Sequence, residues 1–75
     1  MIKINIEYCI KWNYKPEFDR VSKIIKNIAS NAIITDNITP PRTGSFEVTL
    51  NDRLVYSKFS SGDFPKKPEI YSWFE

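Results

Sequence analysis

Ile2, Ile4, Ile6 and Tyr8 alternate with Lys3, Asn5 and Glu7 at the start of the chain, a period of two that predicts a strand with one buried face. From Pro16 the period lengthens. Phe18, Val21, Ile24, Ile25 and Ile28 recur at steps of three and four, which predicts a helix over about residues 15–29. Pro16 suits a first helical turn because no N–H is needed there. Glu17 and Asp19 early, with Lys23 and Lys26 late, complement the helix dipole, and Asp19 with Lys23 makes a favourable i,i+4 pair. Ala32 to Thr35 then reads as a short second strand, and Asp36 to Gly44, with Pro40 and Pro41, as a loop.

Phe46, Val48 and Leu50 alternate with Glu47 and Thr49, so Ser45 to Leu50 predicts a third strand. Asn51-Asp52 tolerates the positive φ of a tight turn and joins it to a fourth, Arg53 to Phe59, as an antiparallel hairpin. After Ser60-Ser61-Gly62-Asp63, Pro68 and Glu69 mark a final short helix with Ile70, Trp73 and Phe74 as its apolar face. The expected order is β-α-β-β-β-α. Its first three elements form a crossover that pairs two strands in parallel, and the hairpin extends the same sheet antiparallel. This is an α/β fold, a mixed four-stranded sheet with helices packed on it in two or three layers. Phe18, Phe46, Tyr56, Trp73 and Phe74 fall on apolar faces and read as core, while Phe59 and Phe64 flank a polar turn.

Seventy-five residues allow one domain, residues 1–75, and 41% apolar with 27% charged residues is the composition of a folded domain. The net charge of +2 comes from scattered side chains, and the densest basic spot is the pair Lys66-Lys67, so nucleic-acid binding is not expected. Without histidine, and with one cysteine, the chain lacks the usual ligands of a transition-metal site and any histidine-based triad. No metal and no bound cofactor are expected. With no long apolar run, no basic-then-apolar leader and no possible internal disulfide, the expected setting is cytoplasmic and away from membranes.

That leaves Cys9, where the strand pattern runs out just before the helical one. A helix N-terminus offers free N–H groups and positive potential, which favour a thiolate over a thiol. By composition alone a lone cysteine after an apolar strand is more often a small buried hydrophobe. Trp12 stands where a Cys-x-x-Cys pair would carry its second thiol.

The run Tyr8-Cys9-Ile10-Lys11-Trp12-Asn13-Tyr14-Lys15-Pro16 resembles the selenoprotein W family, the Rdx proteins, in which Tyr-Cys-x-x-Sec/Cys-Gly-Tyr-Lys-Pro joins the first strand to the first helix. Thr43-Gly44-Ser45-Phe46-Glu47-Val48 is similar to that family's Thr-Gly-x-Phe-Glu-Val element, and Leu54-Val55-Tyr56-Ser57-Lys58 to its following strand. Gly62-Asp63-Phe64-Pro65 resembles its Gly-x-Phe-Pro element. The resemblance implies a thioredoxin-like fold and thiol redox function, with Cys9 as the first redox position and Trp12 as a degenerate second one. An indole can neither form nor attack a disulfide, so dithiol chemistry does not carry over. Asn13 replaces the family's Gly and also tolerates unusual backbone angles.

Placement and resemblance together shift the expectation for Cys9 to an exposed, reactive thiol acting alone, by thiol-disulfide exchange or glutathionylation. Glutathione is the expected co-substrate, and partner proteins bearing thiols or disulfides the expected macromolecules. The alternative is an inactive thioredoxin-like adaptor that binds a protein partner. Lys11 and Lys15 stand near enough in sequence to lower the thiol pKa, or else are solvated surface lysines. Trp12 has three readings: a packing residue closing the loop, a ring against the Cys9 sulfur, or a selenocysteine codon recorded or replaced as tryptophan. The backbone of Thr43 and Gly44 suits an extended peptide or glutathione if it faces Cys9, against a simple strand-opening turn. Arg42 suits a glutathione carboxylate, against an exposed arginine with no such duty.

Overall fold

The computed structural model describes every residue from Met1 to Glu75, with β1 (Lys3–Tyr8), α1 (Lys15–Ile28), β2 (Ile33–Asp36), β3 (Phe46–Leu50), β4 (Arg53–Ser57), α2 (Lys58–Ser61) and α3 (Lys67–Ser72). The four strands form one sheet in the order β2-β1-β3-β4. β1 pairs in parallel with β2, Ile4 opposite Ile34, and antiparallel with β3, Ile6 opposite Val48 and Tyr8 opposite Phe46. β3 and β4 form the expected hairpin, with a register shift between Val48 and Thr49. A mixed four-stranded sheet with helices on it is therefore the fold.

The period-two pattern of β1 sorts its side chains onto two faces. Ile4, Ile6 and Tyr8 are buried with Phe46, Val48 and Tyr56, and onto this face pack Val21 and Ile25 of α1, Ile70 of α3 and Trp73. Burying each such aliphatic side chain contributes about 1.5–3 kcal/mol, which is what holds α1 to the sheet. Lys3, Asn5 and Glu7 point to the opposite face, which the long helix leaves uncovered, so the architecture has two layers. α1 is further tied down by Arg20, whose guanidinium donates to Glu17 at 2.8 Å and to the Pro65 carbonyl at 2.6 Å. Asp19 pairs with Lys15 one turn before it, not with Lys23. No helix is long and apolar enough to cross a membrane.

The fourth strand is shorter than its apolar pattern suggests. It stops at Ser57, and Lys58 and Phe59 begin a single helical turn that the sequence pattern did not announce. Glu47 on β3 explains the break: its carboxylate accepts the Lys58 N–H at 3.0 Å, capping that turn. Gly62, at φ 80°, closes it by donating its N–H to the Lys58 carbonyl at 2.7 Å. The Tyr56 hydroxyl bonds Ser61 Oγ at 2.7 Å and donates to the Asp63 carbonyl, so the polar turn is fastened to the end of the sheet.

The Asn51-Asp52 link has φ of 49° and 70° at its two residues, the positive-φ pair a tight hairpin requires. Asn51 has a second duty, accepting the Lys3 N–H on its Oδ1 at 2.9 Å. Asn51→Ala should therefore lower stability in urea unfolding by about 1–2 kcal/mol, through lost tolerance of positive φ and an unpaired strand N–H. Asp52→Gly, which removes only a side chain from a positive-φ site, should leave stability unchanged or raise it slightly.

Candidate thiol site

Cys9 follows the C-terminal end of β1, and two backbone hydrogen bonds hold it there. Its N–H donates to the Ser45 carbonyl at 3.0 Å, and its carbonyl accepts the Tyr14 N–H at 3.0 Å. Between those anchors, residues 10–13 make a turn closed by the Asn13 N–H on the Ile10 carbonyl at 2.9 Å, with Asn13 at φ 56°. The Asn at the family's Gly position thus takes the left-handed conformation. The turn folds back so that the Trp12 N–H donates to Cys9 Sγ at 3.3 Å.

Two expectations about Cys9 need correction. The first concerns position: α1 begins only at Lys15, so the thiol is not at a helix N-terminus. Loop amides take over that role. The N–H groups of Gly44, Trp12 and Lys11 all face the sulfur. The second concerns exposure: Cys9 is 1% exposed rather than open to solvent, although it lies at the rim of the molecule. Burial pushes the thiol pKa up, but the three N–H groups and the Lys11 charge outweigh it, leaving the thiol below its ordinary value. Lys15 is not part of this balance; it pairs with Asp19 and lies over the Phe18 ring.

The loop that supplies Gly44 is held by an ion pair that the sequence reading missed. Arg42 donates from Nε to Glu7 Oε2 at 3.0 Å and from a terminal nitrogen to Oε1 at 3.0 Å, and its backbone N–H reaches Oε2 at 2.8 Å. Glu47 stands 3.5 Å from the same guanidinium, whose Cζ lies 4.9 Å from the Phe59 ring centre. Arg42 is therefore engaged by protein carboxylates, which favours the reading of an arginine with no glutathione duty over that of a carboxylate-binding one. The Arg42 hydrogen bonds hold the Glu7 carboxyl below its ordinary value against the opposing effect of burial. Glu7 lies thirty-five positions before Arg42; its only sequence signal was a place on the polar side of β1.

Beyond the clamp, the Ser45 N–H donates to the Arg42 carbonyl at 3.1 Å, and Gly44 takes φ 77°. This turn sets the Gly44 amide on the side of the thiol, where it favours the thiolate. Gly44 also lets Trp12 close in: a β-carbon at residue 44 would stand 2.9 Å from Trp12 Cζ3. Thr43 is solvent-exposed beside it. The Trp12 indole meets Tyr14 edge-on at 6.2 Å, Tyr14 meets Phe64 at 4.8 Å, and Phe64 meets Phe46 at 5.3 Å, a series of rings from the site into the core. Lys58 places its ammonium 5.6 Å from the Tyr14 ring centre and 5.5 Å from that of Phe64. Lys11, Trp12 and Gly44 are thus brought to Cys9, whereas Arg42 acts one step removed.

A shallow cavity of about 210 Å³ lies on the uncovered sheet face among Lys3, Asn5, Ile33, Thr35, Ile38, Thr49 and Asp52, and it includes no residue of the thiol site. No group of three or more His, Cys, Asp or Glu side chains is arranged to hold a metal ion.

Comparison with known proteins gives a consistent result. A family model described as the Rdx family matches residues 3–73. Selenoprotein W of Danio rerio is 33% identical over 64 residues, spanning 84% of this chain and 74% of that protein. Migration and invasion enhancer 1 of Bos taurus is 26% identical over 69 residues, which span 92% of this chain and 58% of that protein. Among solved structures, a selenoprotein W-related protein from Vibrio cholerae superposes with a TM-score of 0.76 over 99% of this chain and 98% of that one, at 21% identity.

The Glu7 clamp carries a pH dependence whose sign follows from its lowered pKa. Between the folded and unfolded values the unfolded chain binds more protons, so the clamp's stabilisation is complete above the ordinary carboxylate value near 4.3 and is lost as pH falls through the folded one. Glu7→Gln should be less stable than wild type at pH 7, with the difference shrinking in acid. The same variant should raise the Cys9 thiol pKa by loosening Gly44. Urea unfolding across pH and thiolate absorbance measure the two effects.

Proposed function

The chain belongs to the Rdx family, which suggests a redox-related function, and from that premise we propose that Cys9 works as a single nucleophilic thiol. The observation that carries this reading is the Trp12 N–H on the Cys9 sulfur at 3.3 Å, which with the Gly44 and Lys11 amides holds the thiol below the ordinary cysteine value. A structural cysteine in an apolar core has its pKa raised. Here the loop amides reverse that tendency.

In the proposed step the Cys9 thiolate attacks one sulfur of a disulfide, the S–S bond breaks, and the other half departs as a thiolate carrying the electron pair. Trp12 offers no second thiol, so an external thiol must complete the cycle. Glutathione is the proposed resolving partner: its thiolate attacks the substrate sulfur of the mixed disulfide, a glutathione–substrate disulfide forms as Cys9 leaves as thiolate, and the electrons gained by the departed half come from the glutathione oxidised in that new bond. A reducing, cytoplasmic setting with protein disulfides or glutathione as partners fits this cycle. Neither a metal nor a bound cofactor takes part.

Incubation with oxidised glutathione should add one glutathionyl group to wild-type protein by intact mass spectrometry and none to Cys9→Ser. Thiolate absorbance should rise at a pH below the ordinary thiol value of about 8.5. A Cys9 that titrates at or above that value and stays unmodified would sink the reading.

One observation favours a second reading, a protein-binding adaptor. Ile10 and Trp12 are 63% and 56% exposed on the same turn, a pair of large apolar side chains at the site's rim. On that reading Cys9→Ser leaves partner binding unchanged and Trp12→Ala weakens it by about tenfold or more. Pull-downs with the reverse dependence would exclude it.

A further inference from the structure

Resting on the reading of Cys9 as a nucleophile, we infer that Trp12 is a lid whose seat is Gly44, and that it determines which electrophiles reach the thiol by their size. Cys9 is only 1% exposed, yet Ile10, Lys11, Trp12 and Thr43 around it are all exposed, so it lies just beneath the surface. Two segments flank Cys9: residues 10–13, whose Trp12 N–H bonds the sulfur at 3.3 Å, and residues 42–45, whose Ser45 carbonyl accepts the Cys9 N–H at 3.0 Å. The Trp12 indole bridges them. The Trp12 backbone N–H bonds the sulfur at 3.3 Å, and its six-membered ring lies on Gly44 of the other segment.

The seat is made for this ring. Any β-carbon at residue 44 would stand 2.9 Å from Trp12 Cζ3, and φ 77° is a conformation that side chains other than glycine's resist. Yet the ring is not locked. Trp12 remains 56% exposed, and its one aromatic neighbour, Tyr14, touches it edge-on at 6.2 Å. A half-exposed ring resting on one face is attached weakly enough to swing aside without unfolding the sheet. Because the donors to the sulfur are backbone amides, its swing leaves the groups that acidify the thiol in place. Acidity and access are therefore set by different atoms of the same turn.

A disulfide must approach the sulfur along the line of the bond being broken, which demands more room than a small alkylating agent needs. The lid thus selects against bulky disulfides while it is seated. The apparent rate for a large reagent is its rate with the open form multiplied by the fraction open.

The test uses the full chain as wild type, Trp12→Ala and Trp12→Leu, with Cys9 rates expressed per thiolate after each variant's thiol has been titrated. One reagent is iodoacetamide, which forms an S–C bond as iodide leaves. The other is the aromatic disulfide dithionitrobenzoate, which forms a mixed disulfide as thionitrobenzoate leaves with the electron pair. Trp12→Ala should accelerate the aromatic disulfide about tenfold and iodoacetamide by about threefold or less, with Trp12→Leu between wild type and Trp12→Ala for the former. Urea midpoints measured alongside separate lid opening from general loosening, which would speed both reagents alike. A ratio of the two rates that does not change in either variant, with Cys9 still reactive, overturns the lid and leaves the nucleophilic thiol standing. A Cys9 that reacts with neither reagent in any of the proteins overturns both.

Discussion

The arrangement depends on β1 lying inside the sheet, hydrogen-bonded along both edges. Its parallel partner β2 and antiparallel partner β3 use up its backbone groups, and the strand's alternation then distributes three different tasks. Ile4, Ile6 and Tyr8 form the floor on which α1 and α3 pack. Glu7, pointing the other way, grips the loop before β3 through Arg42. Cys9 emerges at the end, where the ladder to β3 makes a last bond through the Ser45 carbonyl. A one-residue slip of β1 would exchange the core and clamp faces, so the register that buries the isoleucines is also what brings the thiol beside Gly44.

The site's electrostatics show why a buried sulfur need not be inert. Removing a thiol from water disfavours its charged form, and desolvation is the largest single influence on Cys9. It is opposed by backbone amides, each weaker, that converge on one atom together with the Lys11 charge. Convergence decides the outcome. Amides are suited to this because they are fixed by the turns that carry them: the 10–13 turn is closed by Asn13 at positive φ, and the 42–45 turn by Gly44. The same backbone constraints that close the turns also orient the dipoles.

The core and the strand order were largely legible in the sequence because they depend on local alternation, helical period and turn chemistry. The Asn51-Asp52 turn is a case in which residue type alone anticipates the backbone, since both residues have positive φ. α2 was not legible, because Arg53 to Phe59, with Leu54, Val55, Tyr56 and Phe59, reads as one continuous strand. It is broken by Glu47, a carboxylate from the neighbouring strand that captures the Lys58 N–H. Arg42 was read as a free guanidinium for a related reason, its partner lying far away on β1. Cys9 was placed at the right junction but given the wrong neighbours: α1 opens at Lys15 as its period predicts, which leaves its N-terminus six positions beyond Cys9 and loop amides beside the thiol instead. Local periodicity cannot report contacts made through tertiary pairing.

Tryptophan at the second redox position changes the kind of control the site can exercise. In a dithiol site the second thiol limits the life of a mixed disulfide by attacking it internally, so the chemistry of release is built in. An indole cannot do this. What it brings instead is bulk, a flat face and a backbone N–H, and the fold uses all three: the N–H on the sulfur, the face on Gly44 and the bulk across the gap between the two turns. Glycine at residue 44 and tryptophan at residue 12 therefore belong to one packing solution, since a larger residue at the former would displace the latter. On the proposed single-thiol cycle, control of the thiol passes from internal resolution to access, and the external thiol that resolves the adduct would have to pass the same indole as the substrate that formed it.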